Sequence, residues 1–305
     1  MALGSILGIQ YSSNVSEGGD WSTISNLVGW WDFSDINTLF KSRDSYDTPV
    51  TANDDLIGRV KNKAGGANKL GEFLTQRDDA YRPKYKTGGT NSQSYAYNDG
   101  TAQIGFLGGN FTSWAEGGIT ATKFSDCIFL TGAITIITVC KQDVEDIASK
   151  QTLFQIDGID TTGGTNGSAF LKFEKYSSDD PAINISYGTD EAGQFISGGS
   201  NVWDTDDRIV SLSSGPGTNG IKVYYDATVE LQDTLANAAD PIDMSLPIAT
   251  GRSSISIGGQ PNSYGNLSAS NWNGRIYEVL VYDKLLSDAE LLLVQTYLNT
   301  KYTLY

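Results

Sequence analysis

The sequence predicts an all-β protein, a two-layer antiparallel sandwich that closes with one short C-terminal helix. Short runs rich in β-branched and aromatic residues recur along the chain. Gly-Gly, Asp-Gly and Asn-Gly pairs separate them, and these residues supply the positive φ angles of tight turns. No helical periodicity intervenes, which favours antiparallel strands over βαβ units.

The first 26 residues form a predicted N-terminal arm, and residues 27–305 a single domain. No charge precedes Glu17, and a Gly-Gly pair follows it. Because apolar side chains at a terminus are stable only when they pack against another surface, we predict that this segment attaches the protein to a partner. The alternative is that Ser5–Tyr11 is an edge strand of the sandwich. The large side chains of this segment are Leu3, Ile6, Leu7, Ile9 and Tyr11.

The domain opens with a strand that carries Trp30 and Trp31. Because side chains alternate across a strand, one ring should point into the sandwich and the other away from it. Seven further predicted strands follow before the last one: 133–140, 152–157, 169–173, 182–187, 208–212, 220–226 and 253–257.

The last predicted strand, 274–282, is apolar on both faces, which is typical of an interior strand. Strict alternation would place Ile276, Leu280 and Tyr282 on one face. Tyr277, Val279 and Val281 would then lie on the other.

A helix should run from about Asp288 to about Lys301. Ser287 and Glu290 have the spacing of a capping box. Leu291, Val294 and Leu298 form an apolar stripe, which we expect to lie on a sheet edge or at the mouth of the sandwich.

Composition and charge exclude several classes of function. The chain has 21 Lys and Arg against 36 Asp and Glu, a net charge of −15 that disfavours nucleic acid and membrane partners. With no histidine, it has no imidazole nucleophile pair or metal ligand. The two cysteines, Cys127 and Cys140, predict reduced thiols rather than a disulfide scaffold. Neither a secretion signal nor a membrane span is evident, so we expect a soluble protein.

Several blocks of the sequence resemble laminin G-like domains of the concanavalin A-like lectin/glucanase superfamily, of the kind carried by bacteriophage virion proteins. The blocks are 273–290, 297–302, 28–35, 60–66, 82–85 and 256–258. The resemblance implies a jelly-roll sandwich and is almost silent on activity.

The sequence offers only weak candidates for the residues of a functional site. A glucanase of this superfamily would carry a Glu-x-Asp-x-x-Glu strand, which is absent. No cofactor is predicted; a calcium ion at Asp157, Asp160 and Asn166 is the alternative, although their spacing matches no fixed calcium loop. Trp114, Trp203 and Tyr264 sit in turn-rich contexts, where their rings could contact a glycan or a protein partner.

These observations predict a non-enzymatic structural protein of a phage virion, a head decoration, head fibre or tail component. It would assemble in the host cytoplasm and bind itself and other virion proteins through its arm. The alternative is a carbohydrate-binding adhesin module that recognises a glycan of the host surface.

Overall fold

A computed structural model of the chain describes residues 20–42, 48–65, 69–70, 72–76, 79–100, 106–109, 133–143, 151–158, 168–177, 180–187, 205–215, 221–226, 228–233, 253–261, 267–269 and 271–305. In chain order the strands are β1 (Leu27–Asp32), β2 (Leu39–Phe40), β3 (Arg59–Lys61), β4 (Phe73–Thr75), β5 (Lys84–Lys86), β6 (Tyr95–Asp99), β7 (Phe106–Gly109), β8 (Ile134–Gln142), β9 (Gln151–Gly158), β10 (Ser168–Ser177), β11 (Asp180–Tyr187), β12 (Arg208–Ser214), β13 (Ile221–Tyr225), β14 (Thr228–Asp233), β15 (Ser253–Ile257), β16 (Gln260–Pro261), β17 (Leu267–Ala269) and β18 (Asn273–Tyr282). One α-helix, α1 (Asp288–Tyr302), follows them. Single 3-10 turns lie at Trp21–Thr23, Ile36–Thr38, Asp79–Tyr81 and Thr90–Ser92.

The strands form two large antiparallel sheets. Sheet A has the order β14-β13-β12-β8-β18-β6-β5, and β1 pairs with the C-terminal half of β18. Sheet B has the order β11-β10-β9-β15-β7-β4-β3-β2, and β16 and β17 form a separate ribbon. This arrangement confirms the predicted all-β jelly-roll sandwich, and each predicted strand overlaps an observed one.

The main core lies between the two sheets. Sheet A contributes Trp31, Ile136 and Val281, and sheet B contributes Leu74 and Leu153, all fully or almost fully buried. Trp30 points the other way and packs against a second apolar cluster on the outer face of sheet A. The prediction of one inward and one outward tryptophan is therefore confirmed.

A β-bulge in β18 overturns the predicted alternation of its side chains. The pairing with β8 shifts register between Ile276 and Glu278. Because a bulge adds a residue to one strand, the residues before and after it exchange faces. Ile276 therefore joins Val279 and Val281 in the main core, whereas Tyr277 joins the outer cluster.

Helix α1 begins and ends within a residue of the prediction. Ser287 and Glu290 form the predicted capping box, and the stripe of Leu291, Val294 and Leu298 is buried. The helix does not lie on a sheet edge or at the mouth of the sandwich. It covers the outer face of sheet A, since strands such as β8 are apolar on both faces and their outer residues need a cover.

The carboxylate of Asp55 organises the turn that precedes β3. Its Oδ2 accepts hydrogen bonds from the amides of Thr51 (2.9 Å) and Ala52 (2.8 Å), and it pairs with the Lys41 ammonium at 2.8 Å. Desolvation opposes ionisation here but is outweighed by Lys41 and the two amides, which lower the pKa of Asp55 to about 2.

The lowered pKa of Asp55 predicts that the protein loses part of its stability in acid. Because the folded pKa lies below the ordinary value of 3.8, the contribution of Asp55 is present above that value and is lost as the pH falls toward 2. Asp55→Asn should therefore lose less stability than the natural protein over that interval. Urea unfolding at pH 4.5, 3.5 and 2.5 measures the difference, and parallel curves would contradict it.

Candidate functional site

A cleft of about 440 Å³ opens on the outer face of sheet A, where β5, β6 and β18 run side by side. Helix α1 covers the neighbouring part of this face. The cleft is lined by Asn53, Lys86, Thr87, Tyr95, Tyr97, Asp143 and Arg275.

Strand β6 supplies the aromatic part of the cleft. Its side chains alternate between buried and half-buried positions, so that Ala96 and Asn98 point inward while Tyr95 and Tyr97 point into the cleft. The two tyrosine rings lie edge to face with centroids 6.5 Å apart. This strand therefore presents two half-buried rings side by side.

Arg275 supplies a cation beside these rings. It lies opposite Tyr97 in the register of β6 and β18, and its guanidinium carbon is 5.0 Å from the centre of the Tyr95 ring. Its Nε lies 3.6 Å from Oδ1 of Asp143, which follows the end of β8.

Burial, reinforced by the charge of Asp143, raises the pKa of Tyr97 above its ordinary value of 10.0. Tyr97 therefore keeps its hydroxyl proton at neutral pH.

The opposite rim comes from the turn before β3 and the end of β5. Oδ1 of Asn53 accepts a hydrogen bond from the amide of Thr87 at 3.0 Å. Lys86 forms an ion pair with Asp54 beside it. The cleft thus combines aromatic rings with amide, hydroxyl, ammonium, guanidinium and carboxylate groups, a set that can stack on a sugar ring and bond to its hydroxyls.

The residues singled out from the sequence lie elsewhere or outside the described part of the chain. Trp114, Trp203, Tyr264, Asp160, Asn166 and Cys127 fall outside it, as do Leu3, Ile6, Leu7, Ile9 and Tyr11 of the arm. Asp157 belongs to β9 of sheet B, away from the cleft strands. Cys140, on β8, is a buried free thiol.

Sequence reasoning missed every residue that lines the cleft. The alternation Tyr95-Ala-Tyr97 could have indicated two rings on one face, and Arg275 is the single cation of its strand. Nothing in the sequence places Asn53, Lys86 and Asp143 beside them. That proximity depends on pairing between distant strands.

A second polar cluster lies beneath the C-terminal end of α1. Its charges alternate from Asp35 to Lys63, Asp32, Lys301 and Glu278, with ion-pair distances of 2.9, 3.0, 2.9 and 2.7 Å in that order. Glu278 is completely buried, and its Oε1 accepts hydrogen bonds from the Trp30 indole and the Tyr297 hydroxyl.

The partners of the buried Glu278 carboxylate compensate it for the loss of hydration. Desolvation and the charge of Asp32 raise the pKa of Glu278, while Lys301 and the hydroxyl of Tyr302 stabilise its ionised form. Because the helix covers the group and donors surround it, we assign this cluster a structural role in docking α1.

Two further observations concern the described residues only. They contain no group of three or more acidic or thiol side chains placed to hold a metal ion. No helix among them has the length and apolar character needed to cross a lipid bilayer.

Comparison with known proteins finds similarity to solved structures only. No protein-family model and no curated protein matches the chain. The CBM40 domain of the Ruminococcus gnavus IT-sialidase, bound to α2,3-sialyllactose, is 16% identical with a TM-score of 0.43 over 56% of this chain and 86% of that one. Trypanosoma rangeli sialidase in complex with 2,3-difluoro-KDN is 13% identical with a TM-score of 0.46, over 91% of this chain and 33% of the sialidase. The chain therefore spans about a third of that sialidase, and likeness at this level carries no argument about a ligand or an activity.

Proposed function

We propose that the protein is a carbohydrate-binding module whose ligand lies in the cleft on the outer face of sheet A. The pair of half-buried rings, Tyr95 and Tyr97, beside a mixed set of hydrogen-bonding groups carries this proposal. An aromatic face packs against the apolar face of a pyranose, while polar groups at its edge bond to the hydroxyls. Tyr97 is the main platform, because Tyr95 also packs against Tyr277.

We propose that binding is not coupled to hydrolysis. The usual glycosidase mechanisms need two carboxyl groups facing the scissile bond. Among the described residues that line the cleft, Asp143 alone carries a carboxyl group, and it faces Arg275. Incubation of candidate glycans with pure protein should release no reducing ends, and steady release would contradict this part of the proposal.

A glycan array tests the binding proposal. The natural protein should bind a subset of glycans, and Tyr97→Ala should weaken that binding at least about tenfold, since it removes the stacking platform. Tyr305→Ala is the matched control, because Tyr305 is 56% exposed and lies outside the cleft. Equal binding by both variants, or no glycan binding at all, would refute the proposal.

A role in a phage virion is a separate prediction that rests on the uncharged segment 1–16 and the family resemblance. If the arm attaches the protein, a chain starting at Gly19 should keep its melting temperature and fail to join particles or to form its oligomer. A truncated protein that incorporates at the full copy number would refute the arm as an anchor. A truncated protein that no longer folds would favour the edge-strand alternative.

A further inference from the structure

Three cations and a tyrosine form a row across four neighbouring strands of sheet A. Lys84 of β5 pairs with Tyr97 of β6, Tyr97 pairs with Arg275 of β18, and Arg275 pairs with Lys141 of β8. Neighbouring strands lie about 4.8 Å apart, so the row extends over roughly 14 Å perpendicular to the strands.

The members of this row share the outer face of the sheet. Their chain neighbours Tyr85, Ala96, Ile276 and Cys140 all belong to the main core between the sheets. Because side chains alternate along a strand, the row residues themselves project outward, and each is half-buried rather than covered.

The charge of this row contrasts with that of the whole protein. The chain carries a net charge of −15, yet Lys84, Arg275, Lys141 and the adjacent Lys86 collect on one small surface. Lys86 is paired with Asp54, whereas Lys84 and Lys141 form no ion pair with any described residue. Asp54 pairs with Lys86, and the charges of Asp143 and Asp99 act on Tyr97, so these described groups carry four positive and three negative charges. Because the whole chain is strongly acidic, an anionic ligand would be repelled less here than over much of the remaining surface.

The guanidinium of Arg275 can still donate hydrogen bonds to such a ligand. Its Nε is buried and lies 3.6 Å from Oδ1 of Asp143, beyond hydrogen-bond distance. The guanidinium also interacts with the hydroxyl of Tyr277, so a ligand would be met by its terminal nitrogens. A guanidinium donates most strongly to a carboxylate or sulfate oxygen in a shared plane. Asp143 therefore satisfies the charge of Arg275 but not its full geometry.

We infer that the cleft takes a glycan bearing carboxylate or sulfate groups, which lies along the row of Lys84, Tyr97, Arg275 and Lys141, and that Asp143 is an internal competitor for Arg275 that limits its affinity. This inference rests on the proposed function and names its ligand class. Asp143 is thus a specificity-determining residue, since it must give up Arg275 when the anion binds.

Calorimetric titration with four probes tests this inference: oligogalacturonate, sulfated dextran, unmodified dextran and single-stranded DNA. One or both anionic glycans should bind at least about tenfold more tightly than unmodified dextran, with affinity that falls as salt rises. Oligogalacturonate and sulfated dextran distinguish carboxylate from sulfate recognition.

Three variants, each checked for an unchanged melting temperature, complete the test. Arg275→Gln should weaken binding of the anionic glycan about tenfold or more, and Asp143→Asn should strengthen it about threefold or more. Lys61→Gln is the matched control, because Lys61 is an exposed cation on β3 of sheet B and should have no effect. If Arg275→Gln lowers the melting temperature, its loss of binding no longer tests the inference. The tighter binding of the anionic glycan expected for Asp143→Asn then tests it instead.

The outcomes of these titrations distinguish the inference that the ligand is anionic from the proposal that the cleft binds carbohydrate. Equal binding of dextran and the anionic glycans, with no effect of Asp143→Asn, would overturn the inference and leave carbohydrate binding intact. Binding of single-stranded DNA as tightly as of the glycans would also overturn it, since the row would then attract any polyanion. Absence of binding to every glycan, here and on the array, would refute the proposed function itself.

Discussion

Replacing Lys301 with alanine is expected to lower the free energy of unfolding by about 3–5 kcal/mol, because it leaves a buried carboxylate without its cation. The Lys301 ammonium lies 2.7 Å from Oε2 of Glu278 and 2.9 Å from Oδ2 of Asp32. Lys63 still pairs with Asp32 in the variant, but among described residues Glu278 would keep only neutral donors. The last turn of α1 would then lose its ionic attachment to sheet A and keep only the hydrogen bond and packing of Tyr302.

Lys284→Ala is the matched control for this effect. Lys284 also pairs with a glutamate, Glu290, at 2.7 Å, but both side chains are about a quarter exposed. Such a surface pair contributes about 0–1 kcal/mol. Urea unfolding followed by tryptophan fluorescence measures both variants, and equal losses would show that the buried cluster does not hold the helix in place.

Replacing Gly274 with alanine is expected to cost about 3 kcal/mol or more, because both the backbone conformation and the available space exclude a side chain. Gly274 has a φ of +148°, and an added Cβ would lie 2.0 Å from the carbonyl oxygen of Lys141. That oxygen belongs to the backbone of β8 and cannot rotate away. The strain would therefore fall on the pairing of β8 and β18 at the centre of sheet A.

Gly65→Ala provides the comparison. A Cβ at Gly65 would meet no atom within 4 Å, so its unfolding free energy should change by less than about 0.5 kcal/mol. Thermal unfolding distinguishes the two variants. A Gly274→Ala protein with the natural melting temperature would contradict the close approach of the two strands at this position.

Nine of the strands and the helix could be predicted from the sequence because their signals are local. The β-branched run of β8 and the capping box of Ser287 and Glu290 can each be seen within a few residues. The bulge in β18 has no such signal, since it depends on how β8 and β1 pair with that strand. The position of α1 was missed for a similar reason, because only the assembled sheet shows which apolar face is uncovered.

The candidate site was hidden for the same physical reason. Arg275 and Tyr97 are 178 positions apart in the chain but lie opposite each other in the sheet, and strand register decides this. Isolated tryptophans in Gly- and Asn-rich contexts, such as Trp114 and Trp203, are easier to notice in a sequence than a tyrosine pair on a short strand. Their conspicuousness says little about whether they bind a ligand.

Hydrogen–deuterium exchange with and without the tightest-binding glycan of the array tests the cleft as the ligand site most directly. Binding in the cleft should slow amide exchange in residues 51–55 and 86–97, which carry Asn53, Thr87, Tyr95 and Tyr97. Tyr97→Ala should abolish this protection, whereas Tyr305→Ala should leave it unchanged. Protection confined to residues 110–132 and 188–204, which contain Trp114 and Trp203, would contradict the cleft and return the binding site to the aromatics first predicted from the sequence.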